Sequence, residues 1–347
     1  MVLSSSQGLN VMNGPFMQSP EATDHYYKNG QCLKVGVITN PRSGGNKRGG
    51  GGIHKLLEHW PEVMHHEAFD PQGISTALSD FSRNGVKLIV INGGDGTVQA
   101  VLTILGNKRI FAQPPLLSLL RSGTTSMLPR DVGVAGHPAI ALQRILLWSQ
   151  STNQDLGIQS RSILWVQRDT DDLFGMFFGA GAICQGIRLF HCKDNPMGRR
   201  GQLMPMLTMA RLLLAILFNN QDKITPFLNN TGLNGRQLEK RADLLVLVST
   251  LDRLFLGMRP YWGTEEGPLR YTAVGTKPKK LLRILLSLFG SGNNRHAIPT
   301  NGYSSHNVVE VRLDMQGDFT LDGELYAAGE GPVTVSSAGQ ALFLCSC

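Results

Sequence analysis

The stretch Val86-Lys-Leu-Ile-Val-Ile-Asn-Gly93-Gly-Asp-Gly-Thr97 decides the fold. Val86 to Ile91 is an almost unbroken aliphatic and β-branched run, which predicts a strand buried on both faces. The glycines that follow turn the chain into a helix expected to run through about Leu105. Glycine there lets the backbone approach a phosphate, and the helix start points its N–H groups at that negative charge. Asp95 would be repelled by bare phosphate. It belongs either near a bound Mg²⁺ or in a role holding the loop through backbone N–H bonds. A capped strand-to-helix turn is the plain structural alternative, although three glycines around one aspartate exceed what a cap requires.

Upstream, Leu33-Lys-Val-Gly-Val-Ile-Thr39 reads as a strand ended by Asn40-Pro41. The glycine-rich loop 42–52 follows, and Arg42, Lys47 and Arg48 give it positive charge. Helices are expected over Ile53 to His59 and Gly73 to Arg83, and Pro115 to Leu120 reads as another strand running into Gly123-Thr124. Strand, turn and helix in alternation imply an α/β fold with a doubly wound, mostly parallel sheet. The loops after its strands share one edge, so the 40–44 and 93–97 turns should face each other across a crevice.

The pattern changes after about Gln150. Gly157–Gln167, Leu173–Phe178, Leu244–Ser249, Val308–Leu313, Phe319–Leu321 and Val333–Val335 read as antiparallel strands. Two apolar helical segments, Leu203–Phe218 and Lys279–Phe289, interrupt them. A chain of 347 residues is long enough for two domains. The expected division is a loose extension at 1–30, a nucleotide-binding α/β domain at 31–150 and a β-rich, antiparallel domain at 151–347. A hydrophobic content of 41% with 17% charged residues excludes a disordered chain. The net charge of +7 favours an anionic partner. Five scattered cysteines without metal-ligand spacing suit a reducing compartment. The first thirty residues carry no signal-peptide pattern. Leu203–Phe218 contains Pro205 and Arg211 and falls short of the ~20 apolar residues that cross a bilayer.

Asp322-Gly323-Glu324 sets two carboxylates around a glycine. One of them could accept the proton of an attacking hydroxyl, while a solvated tight turn is the ordinary explanation. In order along the chain, Asn40-Pro41-x-Ser43-Gly44, Gly93-Gly94-Asp95-Gly96-Thr97, Gly123-Thr124, Asp155, Gly179-Ala-Gly181 and Asp322-Gly-Glu324 resemble the diacylglycerol kinase catalytic-domain family. That family includes soluble bacterial lipid kinases and the sphingosine kinases, and the resemblance runs from about Leu33 to the C-terminus. It implies ATP with Mg²⁺, bound by Asn40, Pro41, Ser43, Gly44, Gly93, Gly94, Gly96, Thr97, Gly123 and Thr124. It implies Glu324 as general base with Asp322 beside it, Asp95 in the catalytic centre, and Asp155 near the lipid headgroup. A structural cation would be held by the loop that here reads Glu265-Glu266-Gly267, with Glu266 as its ligand.

The chain departs from the family pattern at several points. Val98-Gln99-Ala100 replaces the usual Leu-Asn-Glu, Arg121 stands for a proline, and Ser126-Met127 replaces Asn-Asp. Arg270 stands where another acid is common. These substitutions keep a non-catalytic lipid- or nucleotide-binding member of the fold as the alternative, beside an NAD kinase-like enzyme that shares the Gly-Gly-Asp-Gly-Thr turn. Arg199, Arg200, Lys277, Lys279 and Lys280 flank the two apolar helices. Basic flanks beside apolar helices suit transient, peripheral contact with an anionic membrane, while helices covering a sheet are the simpler explanation. The expectation is a cytoplasmic, peripherally membrane-associated kinase acting on a lipid such as diacylglycerol. A homodimer is left open. Nucleic acid is not expected, because the basic residues lack aromatic interleaving.

Overall fold

The computed structural model describes residues 15–16, 32–48, 52–123, 126–150, 156–191, 227–237, 241–254, 257–288 and 295–346. Thr124, Asp155 and the apolar segment 203–218 lie outside the described residues. Of the expected N-terminal extension, Phe16 is described and is docked rather than loose. It is buried, pairs with Gly339 and packs 5.9 Å from the Phe174 ring.

The first part of the chain alternates as its sequence demands. In order come β1 (Val35–Thr39), α1 (Ile53–Leu57), β2 (Met64–Glu67), α2 (Pro71–Arg83), β3 (Leu88–Gly93), α3 (Asp95–Lys108), β4 (Leu116–Arg121), α4 (Met127–Val132) and α5 (Pro138–Gln150). β1 and β3 are buried at every residue, as the aliphatic runs required. The parallel order is β2-β1-β3-β4. One face is covered by α2, α3 and α4, with Phe81, Leu102 and Leu128 in its core. The other carries α1 and α5, with Ile53, Leu142 and Ile145. α2 begins two residues before the expected Gly73, because the Asp70 side chain accepts the Gly73 N–H at 2.8 Å and Pro71 takes the first helical position.

The remainder is antiparallel: β5 (Leu156–Gln167), β6 (Asp172–Gly175), β7 (Phe177–Gly181), α6 (Ala182–His191), β8 (Phe227–Leu233), β9 (Arg236–Gln237), β10 (Arg241–Ser249), β11 (Leu269–Gly275), α7 (Leu281–Ser287), β12 (Tyr303–Val308), β13 (Glu310–Met315), β14 (Asp318–Leu321), β15 (Glu324–Ala327) and β16 (Val333–Ser346). Its own core gathers Phe178, Val246, Tyr271, Leu313, Phe319 and Val335. The segment Leu173–Phe178, expected as one strand, is two, parted at Met176. α7 starts at Leu281 and not at Lys279, because Lys280 is left-handed (φ 57°) and the Lys279 N–H is spent on the Asn301 carbonyl.

β16 joins the two halves. It pairs with β13 near its start and antiparallel with β5 along its length. After an irregularity between Ser337 and Gln340 it runs parallel to β4, with Phe343 beside Leu117. The C-terminal strand is thus the fifth parallel strand of the first sheet.

Candidate active site

The sheet order places β1 and β3 at the point where the connections diverge, and in open α/β sheets ligands bind outside the carboxyl ends of strands at such a point. The loops leaving β1, β3 and β4 are stitched together there. Asn40 Nδ2 donates to Thr97 Oγ1 at 2.9 Å, tying the first motif to the second. The Asn40 side-chain oxygen also accepts the Arg42 N–H at 2.9 Å, closing an Asx-turn. Asn46 donates to the carbonyls of Asn40 and Asn92, and the Gly45 N–H donates to the Ser122 carbonyl at 2.8 Å. Gly123 lies so close to Gly94 that a methyl group on it would sit 2.8 Å from the Gly94 Cα. Ser43 Oγ is buried without a hydrogen-bond partner, an open polar group in a loop rich in backbone donors.

Asp95 resolves the choice left open by its sequence. Its carboxylate accepts the N–H of Met127 at 3.0 Å and of Leu128 at 3.1 Å, capping α4 across the turn. The interaction uses backbone only, so Ser126 and Met127 support it without the family's Asn-Asp pair. Ser126 Oγ in turn donates to the Gly123 carbonyl at 2.9 Å and accepts the Gly123 N–H at 3.1 Å.

Asp322 enters from the far end of the chain. It is 2% exposed and left-handed (φ 50°). Its carboxylate accepts the N–H of Phe177 at 2.8 Å and of Met176 at 3.1 Å, which is what parts β6 from β7. Burial first, and then the charge of Asp95, push the Asp322 carboxyl well above the usual range, against the pull of its two N–H donors. Asp322 is therefore a buried positioning group facing Asp95. Glu324 is exposed, and its carboxylate lies against Gly96, where a methyl group would overlap it. Two residues on, the Tyr326 hydroxyl donates to Gln99 Oε1 at 3.0 Å, fastening the Asp-Gly-Glu hairpin to α3. Burial and the charges of Glu324 and Asp322 push that phenol up to about 12. Gln99 also donates to Thr103 Oγ1, so the residue at the family's Asn position serves as an internal clamp.

These groups form one end of a cavity of about 830 Å³. Asn40, Ser43, Gly94 to Thr97, Gly123, Asp322 and Glu324 line the polar end. The rest is mostly apolar: Phe69, Ile74 and Met127 come from the parallel half, and Ile183 and Ile187 of α6, Leu245 and Leu247 of β10, Trp262, Val274 and Tyr303 from the antiparallel half. Ile284 and Leu288 of the α7 segment are buried and line it too, so that helix turns apolar residues inward. Ile284 and Leu288 belong to the helix whose apolar face the sequence offered to a membrane, while the others of the antiparallel half read as ordinary core.

Two acidic groups come into question for a cation. At the polar end the carboxylates of Asp95 and Asp322 are already engaged by backbone N–H groups, and Glu324 lies against Gly96. The Glu265-Glu266-Gly267 loop does not fit a cation. Glu266 is exposed, while Glu265 accepts from His306 at 2.6 Å and from the Asn307 N–H at 3.1 Å. The bond to His306 holds the Glu265 carboxyl down at about 2. Arg270 binds Asp252 at 2.5 Å and the Leu251 carbonyl at 2.7 Å, and Asp252 also meets Arg161, which reaches Asp131 of α4. Among the described residues no cluster of three or more His, Cys, Asp or Glu could hold a metal ion. The expectation of Glu266 as a ligand finds no support: its neighbour Glu265 is already engaged by His306 and the Asn307 N–H.

No curated protein matches this chain. Residues 34–157 match the family model of the diacylglycerol kinase catalytic domain. Among solved structures, a candidate diacylglycerol kinase from Bacillus anthracis str. Sterne is 18% identical with a TM-score of 0.63, covering 89% of this chain and 96% of that one. A second from the same organism is 16% identical with a TM-score of 0.60, covering 89% and 97%. A third, described as a diacylglycerol kinase, is 14% identical with a TM-score of 0.56, covering 89% and 96%. Identities this low establish shared fold alone. Residues 34–157 thus resemble the diacylglycerol kinase catalytic domain, and the chain shares the fold of those structures.

Proposed function

We propose that the protein is an ATP-dependent lipid kinase that transfers the γ-phosphoryl group to a lipid hydroxyl, with diacylglycerol as the default acceptor. The observation that carries this reading is a cavity whose polar end is built from the glycine turns and whose remainder is mostly apolar. A water-soluble acceptor has no use for such a lining, whereas an acyl chain can leave water along it.

In this reading the turns at 40–44 and 93–97 bind the nucleotide phosphates through backbone N–H groups, Asn40 and Ser43. Mg²⁺ arriving with the nucleotide would neutralise the β/γ charge. The acceptor chain lies among Leu245, Val274 and Ile284, bringing its hydroxyl to the polar end. Glu324 takes the hydroxyl proton as the oxygen–γ-phosphorus bond forms and the bond to the β-bridging oxygen breaks, with ADP leaving. Asp322 keeps the hairpin that carries Glu324 in register. Residues 31–150 serve the nucleotide and 151–347 the acceptor, with β16 returning to the first sheet. Lys277, Lys279, Lys280 and Arg283 supply a basic flank for transient docking on an anionic membrane from the cytoplasmic side.

The test is incubation of the purified protein with labelled ATP, Mg²⁺ and a total lipid extract, followed by chromatography of the organic phase. A labelled lipid supports the proposal and narrows the acceptor. ATP binding without any labelled lipid replaces the kinase with a non-catalytic binder. Label recovered only in NADP, when NAD is added, replaces it with an NAD kinase-like enzyme.

A further inference from the structure

We infer that Phe69, backed by Arg42, is the platform on which the base of the bound nucleotide stacks; this rests on the ATP reading above. Phe69 is 48% exposed, and of the large exposed hydrophobic side chains among the described residues it alone lines the cavity. It follows β2 and precedes the Asp70 cap of α2, so its backbone is fixed between a strand and a helix start. A hydrophobic residue before an N-cap ordinarily closes onto the fourth helical residue, here Ile74. Ile74 is buried and lines the same cavity, yet the Phe69 ring remains half open.

The guanidinium of Arg42 lies 5.4 Å from the Phe69 ring centroid, a cation over an aromatic face. β1 pairs with β2 on one side and β3 on the other, so the two residues sit on the β2 side of the phosphate turns. Both residues line the cavity, whose other apolar walls include Leu245, Val274 and Ile284 of the antiparallel half. A nucleotide with its phosphates over β1 and β3 and its acceptor toward β10 has the β2 side left for its base. A planar aromatic with an arginine beside it offers that base a stacking surface that needs no hydrogen-bond readout.

The test is calorimetric titration of wild-type protein, Phe69→Ala and Phe69→Tyr with ATP and, separately, with inorganic tripolyphosphate, which has the phosphates and no base. Phe69→Ala should weaken ATP binding by about 5- to 150-fold and leave tripolyphosphate unchanged. Phe69→Tyr should stay within about twofold of wild type for both. Equal losses for ATP and tripolyphosphate would make Phe69 part of the phosphate cradle and overturn the inference, as would no loss for either. Wild-type protein that binds tripolyphosphate but not ATP removes the nucleotide reading itself. Because Phe69 is exposed, unchanged thermal unfolding is expected for both variants.

Discussion

Replacing Asp95 by alanine tests whether the acid of the Gly-Gly-Asp-Gly-Thr turn is a structural cap as well as a catalytic-centre group. The substitution removes the acceptor of two backbone N–H groups, one of them the buried Leu128 N–H. Hydrogen bonds to charged groups contribute about 1.5–3 kcal/mol each, and losing a helix cap costs about 0.5–2 kcal/mol. The Met127 N–H is only part-buried, so water recovers some of its share. Relief of the repulsion with Asp322 offsets the loss further, leaving a net destabilisation of about 2 kcal/mol. Urea unfolding followed by tryptophan fluorescence measures it.

A second readout comes from pH. Because the folded-state pKa of Asp322 is raised, its contribution to stability is fully present below the unfolded value of 3.8 and is lost as pH rises through the folded value. Removing the Asp95 charge lowers that folded value, so the variant should lose less stability between acid and neutral pH than wild type does. A loss below about 0.5 kcal/mol, the scale of an ordinary surface substitution, would refute the capping argument. An unchanged pH slope would show that the two carboxylates do not sense each other.

Three further outcomes are expected. Glu324→Gln should lower turnover by ~10²–10⁴ with ATP affinity and unfolding unchanged, measured by steady-state kinetics beside calorimetry; near-normal turnover removes it as the base. Gly123→Ala forces a methyl group against the Gly94 backbone, which cannot swing aside as a side chain would. Nucleotide affinity should therefore fall at least ~10-fold, with equal affinity showing that the 94–123 approach is not needed. Replacing Lys277, Lys279 and Lys280 by glutamine should weaken binding to anionic vesicles by ~10²-fold at low salt in co-sedimentation, and wild-type protein that never sediments refutes docking.

The parallel half was legible because burial on both faces leaves a one-dimensional mark: Val35 to Thr39 and Val86 to Ile91 show little polar alternation. The turns at 40–44 and 93–97 were legible because only glycine and asparagine chemistry suits them. α5 left a weaker trace, since Ile140 and Leu147 are exposed and blur its apolar stripe. β16 was recognised only at Val333 to Val335, because its pairing is irregular between Ser337 and Gln340 and the alternation fails there. The partners of the acids were hidden for another reason. Asp95 acts through backbone N–H groups at 127 and 128, and Asp322 through those at 176 and 177. Backbone donors carry no residue signature. The Glu265 loop could be read as a cation site in sequence, but His306 on β12 is brought to Glu265 only by the fold.

The double membership of β16 has a consequence for how the protein comes into being. Ser118 of β4 donates to the carbonyl of Leu344, a contact separated by 226 residues. During synthesis the strands β2, β1, β3 and β4 can assemble early, but the outer rim of β4 stays unpaired until residues 226 positions beyond Ser118 have been made. An aliphatic strand left open that long invites pairing with another chain, and closing so large a loop slows folding. The parallel half therefore keeps one open edge until β16 arrives to close it.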